Sequence, residues 1–383
     1  MLRLTLSSYP DEEGGAGAPA EVVPSLPMEQ NVYHAIVIGA GMAGLSAAGR
    51  LQERGYSVLV VDKGRGVGGR MATRRVSLEA GTAEPEEAVF DHGAQFFTVR
   101  SEAFRTRVDG WLSRGVAREW ARRFPRSAEG LGTAAAEETG GHHPRYRGSP
   151  GMTGIAKLLA GDLDVRTATR IASIRRDSGA LVLTTTEDEE LQGRTAVLTP
   201  PVPQSIALLE ARGLADGSTV INAGERGGSL PLSALQYDKC LVLLAVDPAA
   251  ALPEPGGLFR PGGNIDWIAD NGAKGVSSVP GSFTVHFSSD FSERLYEASD
   301  EEVYRAMLPE LQAVLPMDPR FHQVKRWRYS KPRKPLEIGA VALPEAPEII
   351  LAGDAFAGAR LEGAFLSGLA AAEKLEERLG AGG

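Results

Sequence analysis

Ile36-Val37-Ile38-Gly39-Ala40-Gly41-Met42-Ala43-Gly44 runs an apolar stretch into a Gly-x-Gly-x-x-Gly turn, the spacing that seats a dinucleotide pyrophosphate. Gly39 permits the tight turn, Gly41 lets the backbone approach phosphate, and Gly44 lets a following helix pack closely on the strand. The free N–H groups of that helix start, at Met42 and Ala43, favour an anion, aided by a dipole worth roughly half a positive charge. Asp62, about 20 residues further on, is placed to accept hydrogen bonds from an adenosine ribose. Its carboxylate repels a 2′-phosphate, which disfavours NADP in that seat. Towards the other end, the apolar run Ile349-Ile350-Leu351-Ala352 delivers Gly353 and Asp354, a second aspartate at the end of a strand.

These residues work only if the elements around them form. Leu45 to Arg54 reads as a helix stopped by Gly55, and Tyr56 to Val61 as the second strand of a βαβ unit. Arg360 to Leu375 reads as a small-residue helix behind Asp354. Asp164 to Ile174 reads as a strand pair, followed by the alternating strand Ala180 to Thr185. Leu241 to Val246 and Ser282 to Phe287 read as sheet strands, Asp300 to Leu315 as an amphipathic helix, and the basic run Arg118 to Arg126 as the solvated side of a helix. Residues 79–87, 127–143 and 224–228 read as loops or insertions.

The expected fold class is α/β: a Rossmann-like FAD/NAD(P)-binding domain with a second, α+β substrate domain carrying a mixed sheet. Residues 1–30, rich in Pro, Gly, Ala and Glu, form an expected disordered leader. The dinucleotide-binding domain is discontinuous, from 31–100, 145–204 and 336–383, and 101–144 with 205–335 make the substrate domain.

Composition narrows the partners. A net charge of −8, from 41 basic and 49 acidic residues, argues against a nucleic-acid backbone as ligand. No apolar run approaches the ~18 residues that cross a bilayer. The single cysteine, Cys240, excludes internal disulfides and suits a reducing compartment, so a cytoplasmic location is expected. The opening Met1-Leu2-Arg3 resembles the start of an organelle transit peptide, but Asp11-Glu12-Glu13 is wrong for one. His142 and His143 lack a third ligand at metal spacing, so no metal is expected.

Lys63-Gly64-Arg65-Gly66-Val67-Gly68-Gly69-Arg70-Met71 resembles the glycine-doublet motif of the flavin amine-oxidase superfamily. That resemblance implies FAD, with Lys63, Gly69, Arg70 and Met71 along its pyrophosphate. It also implies Gly353 and Asp354 at the ribityl end, and the helix start at Arg360, Glu362, Gly363 and Ala364 beside the flavin N1–C2=O edge. Ile171 is implied as a main-chain contact to adenine, though its segment reads equally as a plain hairpin. Cys240 lies inside an apolar strand far from the C-terminal motif, so FAD is expected to be non-covalent.

Phe90-Asp91-His92-Gly93-Ala94-Gln95-Phe96-Phe97-Thr98 resembles a segment of renalase-type flavoproteins that lies against the isoalloxazine, through Gly93, Ala94, Gln95 and Phe96. Tyr146 to Met152, Trp267 to Lys274, Val285 to Ser288, Arg326 to Ser330 and Ala359 to Ala364 are similar to further renalase-type segments, in the same order. His92 stands where an apolar residue is usual, and Phe96 where tyrosine is common. The resemblance implies hydride transfer from isomeric dihydronicotinamides, misreduced forms of NAD(P)H, to flavin N5, with O2 reoxidising the flavin to give H2O2.

Expected site residues in the middle of the chain are His286, Asn271, Lys274, Trp327 and Tyr329, together with Gln95 and the flanking Trp267 and Arg328. A tryptophan or tyrosine at a strand end is equally a core residue, and His286 on an apolar strand is equally a structural histidine. Other readings stay open. An amine oxidase of the same superfamily needs an aromatic pair flanking flavin N5, typically with a lysine-held water, and Trp327 with Tyr329 are the candidates. An isoprenoid desaturase needs a long apolar channel, for which no stretch is apparent, and a flavin-binding protein without turnover needs no such residues at all.

Overall fold

The computed structural model describes residues 32–79, 86–127 and 143–380. The expected leader, His142 and nearly all of the expected loops at 79–87 and 127–143 lie outside the described residues.

β1 (Tyr33–Ile38), α1 (Met42–Glu53) and β2 (Val58–Val61) make the βαβ unit, with β1 and β2 parallel and Ile38 beside Val61. Ile36 to Ile38 and all of β2 are buried, as befits central parallel strands covered on both faces. A short 3-10 turn, Gly69–Met71, leads to the hairpin β3 (Thr73–Leu78) and β4 (Glu86–Asp91). α2 (Glu102–Ser113) is capped by the Ser101 hydroxyl, which accepts from the Phe104 N–H at 3.4 Å.

The basic run expected on a helix is instead β5 (Ala117–Ala121), paired antiparallel with β6 (Arg145–Gly148). The partner strand lies beyond the undescribed insertion, so nothing local in the sequence marks the hairpin. After α3 (Thr153–Ala160), β7 (Asp164–Arg166) adds parallel to β2. The expected strand pair is therefore split, and β8 (Ile171–Asp177) pairs with β9 (Ala180–Thr185) instead. β10 (Glu190–Leu198) then returns parallel to β1.

The chain next makes α4 (Val202–Glu210), β11 (Val220–Asn222), α5 (Gly224–Gly227) and β12 (Ser229–Pro231). α5 puts a helical turn where a loop was expected. A five-stranded antiparallel sheet follows, in the order β14-β15-β16-β13-β17, from β13 (Tyr237–Val246), β14 (Gly257–Phe259), β15 (Ile265–Asp270), β16 (Ser282–Phe287) and β17 (Phe321–Pro332). Between β16 and β17 come α6 (Ser289–Leu295) and α7 (Asp300–Gln312), the latter opened by a capping box of Ser299 and Glu302. β13 is apolar on both faces. Leu241, Leu243 and Ala245 pack with Phe291, Val303 and Met307 of the helices, while Cys240, Val242 and Leu244 pack with Ala88 and Phe90 of β4.

β18 (Val341–Ala342), β19 (Ile349–Leu351), α8 (Asp354–Ala357) and α9 (Leu361–Gly380) complete the first sheet, ordered β18-β19-β10-β1-β2-β7 with β9 on β10 and β8 on β9. It mixes parallel strands with antiparallel edges, giving the expected α/β class with a Rossmann-like unit. α9 lies directly on α1. A side chain at Gly368 would begin 2.2 Å from the Ala43 carbonyl oxygen, and Glu376 pairs with Arg50 at 3.3 Å and Arg54 at 3.6 Å. α2 joins this layer too, its Phe104 ring 5.2 Å from Phe365 of α9.

Candidate active site

The turn after β1 is built on glycines whose missing side chains either admit a close neighbour or leave open space. Gly39 has φ +107°, and a side chain there would begin 2.3 Å from the Thr199 hydroxyl oxygen. At Gly44 it would begin 1.9 Å from the Gly39 carbonyl oxygen, so that glycine sets how closely α1 approaches β1. At Gly41 nothing lies within 4 Å. α1 has no side-chain cap, so the N–H groups at its start, Met42 and Ala43 among them, have no side-chain acceptor. The second glycine run folds back onto this place. The Gly68 N–H donates to the Ala40 carbonyl at 2.8 Å, and Gly69 sits over the Gly41 Cα. A glycine-lined space at an uncapped helix start fits a pyrophosphate.

Asp62 braces both runs, accepting from the Ala40 N–H at 2.7 Å and the Gly64 N–H at 2.6 Å. These two bonds leave acceptor capacity on its carboxylate. The Thr169 N–H bonds to the Asp62 carbonyl at 2.9 Å, so the segment entering Ile171 lies beside this acid. Lys63 is exposed and donates to Gln204 at 3.0 Å. Met71 is buried in the core under α1.

Arg70 and Asp354 meet each other. Their fork-to-carboxylate pair closes at 2.7 Å on both arms, and Arg70 also donates to the Ser330 carbonyl at 3.3 Å. Burial and the nearby Asp354 charge push the Tyr237 phenol well above its ordinary range. Gly353 donates to the Ser367 hydroxyl at 2.7 Å, which fixes the turn ahead of α8. Glu362 faces elsewhere: its carboxylate accepts from the Ser101 N–H and hydroxyl, both at 2.6 Å, and so holds the start of α2. At Gly363 a side chain would begin 2.1 Å from the Gly358 carbonyl oxygen. Arg360 is exposed, and its carbonyl accepts from the Ala364 N–H at 3.0 Å.

The loop after β4 docks on Arg70. Ala94 donates to the Arg70 carbonyl at 2.8 Å, and a side chain at Gly93 would begin 2.0 Å from the same oxygen. Trp327 donates from Nε1 to the His92 carbonyl at 2.9 Å and stacks on the His92 ring at 5.2 Å. Gln95 is buried and spends its amide N–H groups on the Asp91 carbonyl at 2.5 Å and the Gly93 carbonyl at 3.1 Å. Its Nε2 lies 3.5 Å from His286 Nε2, and its Oε1 has no partner among the described residues. Burial above all pushes both His92 and His286 down to about 4, so both are neutral at pH 7. Gly93, Ala94, Gln95, His286, Trp327 and Arg70 thus come together.

Other expected residues go to different places. Tyr329 sits edge-on to Tyr237 at 5.8 Å. Arg328 lies on the opposite side of β17 from Trp327 and pairs with Glu297 at 3.0 Å, contrary to the expected substrate contact, because neighbouring residues of a strand point to opposite faces. Trp267 packs into an aromatic cluster, 5.6 Å from Phe96, 4.9 Å from Phe124 and 4.6 Å from Phe259. Asn271 and Lys274 are both spent on Asp91. Asn271 accepts from the Asp91 N–H at 3.2 Å and donates to the Ser282 carbonyl at 3.0 Å. Lys274 donates to the Asp91 carboxylate at 2.7 Å, and neither side chain has any exposed surface. Thr73 and the Met152 N–H complete Asp91, at 2.6 Å and 2.8 Å. Sequence reasoning passed over Asp91 itself; a lone aspartate at a strand end beside the glycine of the docking loop was the signal.

Among the described residues no three His, Cys, Asp or Glu side chains gather as a metal site, and no helix is long and apolar enough to cross a membrane. Cys240 is buried in β13, its thiol pushed up to about 12 by burial.

Comparison with known proteins agrees with this architecture. The NAD(P)-binding Rossmann-like domain family matches residues 37–108, and the flavin containing amine oxidoreductase family matches residues 112–375. The chain is 46% identical over 79 residues to lysine-specific histone demethylase 1 homolog 3 of Arabidopsis thaliana, a stretch that is 20% of this chain and 4% of that protein. Among solved structures, the Exiguobacterium sp. 255-15 protein assigned as a protoporphyrinogen oxidase superposes with a TM-score of 0.66 at 13% identity, over 91% of this chain and 100% of that one. Cyclohexylamine oxidase from Brevibacterium oxydans IH-35A superposes with a TM-score of 0.62 at 14% identity, over 91% of this chain and 100% of that one. Likeness at such identities speaks to the fold. The family match spans most of the chain, and with it the chain belongs to the flavin-containing amine oxidoreductases, FAD-dependent oxidoreductases built on a Rossmann-like unit.

Proposed function

We propose that this protein is a renalase-type oxidase, taking a hydride from isomeric dihydronicotinamide forms of NAD(P)H. The observation that carries the reading is the commitment of Lys274 to Asp91 in the interior. An amine oxidase of this superfamily calls for a lysine that holds a water and for two aromatics that flank the reacting flavin atom. The Lys274 amine is held by Asp91 with no exposed surface, and Trp327 and Tyr329 meet different partners, the one stacked on His92 and the other edge-on to Tyr237.

Bound FAD would supply the two-electron acceptor, with O2 as terminal oxidant and H2O2 as its product. The chain's own residues then bind and orient. Backbone at Gly39, Gly41, Gly44 and Gly69 admits the pyrophosphate, and the N–H groups at Met42 and Ala43 meet its charge. Asp62 takes the ribose end, and Arg70 with Asp354 forms a rigid, mutually neutralised wall. Non-covalent attachment accords with the burial of Cys240 in β13. The docking loop presents Gln95, whose Oε1 is an acceptor without a protein partner, while neutral His286 packs beside it. Hydride loss from a dihydropyridine ring needs no general base, and histidines lowered to about 4 by burial are weak bases, consistent with that demand.

Anaerobic addition of partly misreduced NADH to the yellow protein is the test. Rapid bleaching, reversed by air with peroxide release, is the expected result. A flavin that stays yellow with these isomers and bleaches with a primary amine refutes the reading.

A further inference from the structure

Three arginines share one side of the β5–β6 ribbon. Arg118 stands directly opposite Arg147, and Ala121 opposite Arg145, so Arg145 and Arg147, two residues apart, lie on the face that Arg118 joins. Like charges placed directly across strands destabilise a ribbon, and half-buried arginines are normally matched by carboxylates. Here no carboxylate among the described residues pairs with any of the three. Glu119 belongs to Arg122 at 3.0 Å, and Asp91 belongs to Lys274. Arg145 and Arg147 are both half-buried, and their visible donations go to the carbonyls of Arg122 and Gly148. Burial lowers both guanidinium groups from their ordinary range, with Arg118 adding to the effect on Arg147 and the Asp91 charge opposing it.

The ribbon face abuts the candidate site. The Arg145 guanidinium lies 5.8 Å from the Phe96 ring centre and 5.5 Å from that of Phe124, and Phe96 follows Gln95 directly. Arg147 packs over the turn that carries Lys274, its Nη2 2.8 Å from where a Gly275 side chain would begin. A local excess of positive charge, in a chain of net charge −8, stands beside a cluster of tilted aromatic rings. Local rules broken in this way are expected where a ligand completes the arrangement.

We propose that Arg118, Arg145 and Arg147 form an anion subsite that receives the phosphate of a substrate whose ring is oxidised beside Gln95. The inference rests on the functional reading above and sharpens it. The enzyme selects nucleotide forms of the dihydronicotinamide over the riboside, and disfavours cationic amines by like-charge repulsion. Planar guanidinium forks match phosphate oxygens in pairs, which an isolated lysine does not.

The test compares isomeric dihydronicotinamide mononucleotide with the corresponding riboside, which differ only in the phosphate, on the FAD-loaded enzyme. A charge-assisted contact predicts a kcat/KM roughly tenfold to a hundredfold higher for the nucleotide. In Arg118→Gln/Arg147→Gln, with flavin absorbance retained, that ratio should fall to within about twofold, while Arg118→Lys, which keeps the charge and loses the fork, keeps only part of it. Inorganic phosphate should slow nucleotide oxidation and leave riboside oxidation alone, which separates the anion site from the ring site. A wild-type enzyme without the preference, or a preference that survives the double substitution, overturns the subsite. If neither compound reduces the flavin, the functional reading fails separately. Equilibrium dialysis then decides the subsite: retention of oxidised nicotinamide mononucleotide by wild type but not by the double variant supports it, and equal retention overturns it.

Discussion

Replacing Lys274 by methionine is the sharpest perturbation of the Asp91 hub. Lys274 and Asp91 form a pair with no exposed surface on either side chain, and the amine also lies 4.9 Å from the Trp120 ring centre. Methionine keeps the length and volume of the stem but strands the carboxylate, which retains only the Thr73 hydroxyl and the Met152 N–H. Breaking one partner of a buried pair costs about 3–5 kcal/mol. For a chain of 383 residues that corresponds to a drop in melting temperature of roughly 4–6 °C. Asp91→Asn/Lys274→Met removes both charges, and buried pairs exchanged for neutral groups are often close to neutral in cost, so at least about half of the loss should return. Thermal unfolding of the flavin-loaded protein, with a double-mutant cycle, gives the coupling. A loss below about 1 kcal/mol for the single variant, or a double variant no better than the single, refutes the claim that the pair is charged and mutually compensating.

The two glycines of the first turn should fail in different ways. Gly41→Val meets open space, so the protein should fold normally and purify without yellow colour; Gly44→Ala meets the Gly39 carbonyl and should lose folded yield. Equal behaviour of the pair in circular dichroism and FAD content counts against the assignment. Asp354→Ala frees Arg70 and should also lose the flavin while staying folded, read by absorbance after gel filtration, whereas full FAD retention removes Asp354 from the cofactor site. His92 and His286 stay neutral in the folded protein down to about 4 against an ordinary 6.5. Their contribution, on the order of 3 kcal/mol each at most, is complete above about pH 6.5 and drains away as pH falls towards 4. Urea midpoints between pH 4 and 8 should show that slope, and His92→Asn/His286→Asn should flatten it. The Cys240 thiol, buried and raised to about 12, should resist iodoacetamide until the protein is unfolded.

Much of the dinucleotide half was legible because its signals are local. A strand, a glycine turn, a helix and a second strand lie within a short stretch from Ile36 to Asp62, and Gly39 and Gly44 each answer a contact within the turn or the sheet beside it. β19 with Asp354 could be read for the same reason. The destinations of polar side chains could not. Lys274, Asn271 and Glu362 each serve a partner far away in sequence, and no spacing rule links Lys274 to Asp91 or Glu362 to Ser101. Arg118 to Arg126 misled because a run of charged residues has no period of its own, and the strand that pairs with it lies across an insertion. Tyr329 and Trp327 lie two residues apart on β17 yet meet different neighbours, because the register against β13 shifts between Trp327 and Lys331.

The contact of α9 on α1 sets the order in which the molecule can become an enzyme. Gly368 must reach the Ala43 carbonyl, and Asp354 must reach Arg70, before the wall around the glycine turn exists. These residues come from opposite ends of the described chain, so a ribosome-bound nascent chain holds the turn long before it holds the wall. Contacts of such wide sequence separation form late. On the proposed cofactor reading, flavin capture follows synthesis of α9, and chains cut ahead of α8 are expected to emerge colourless however well their first βαβ unit has formed.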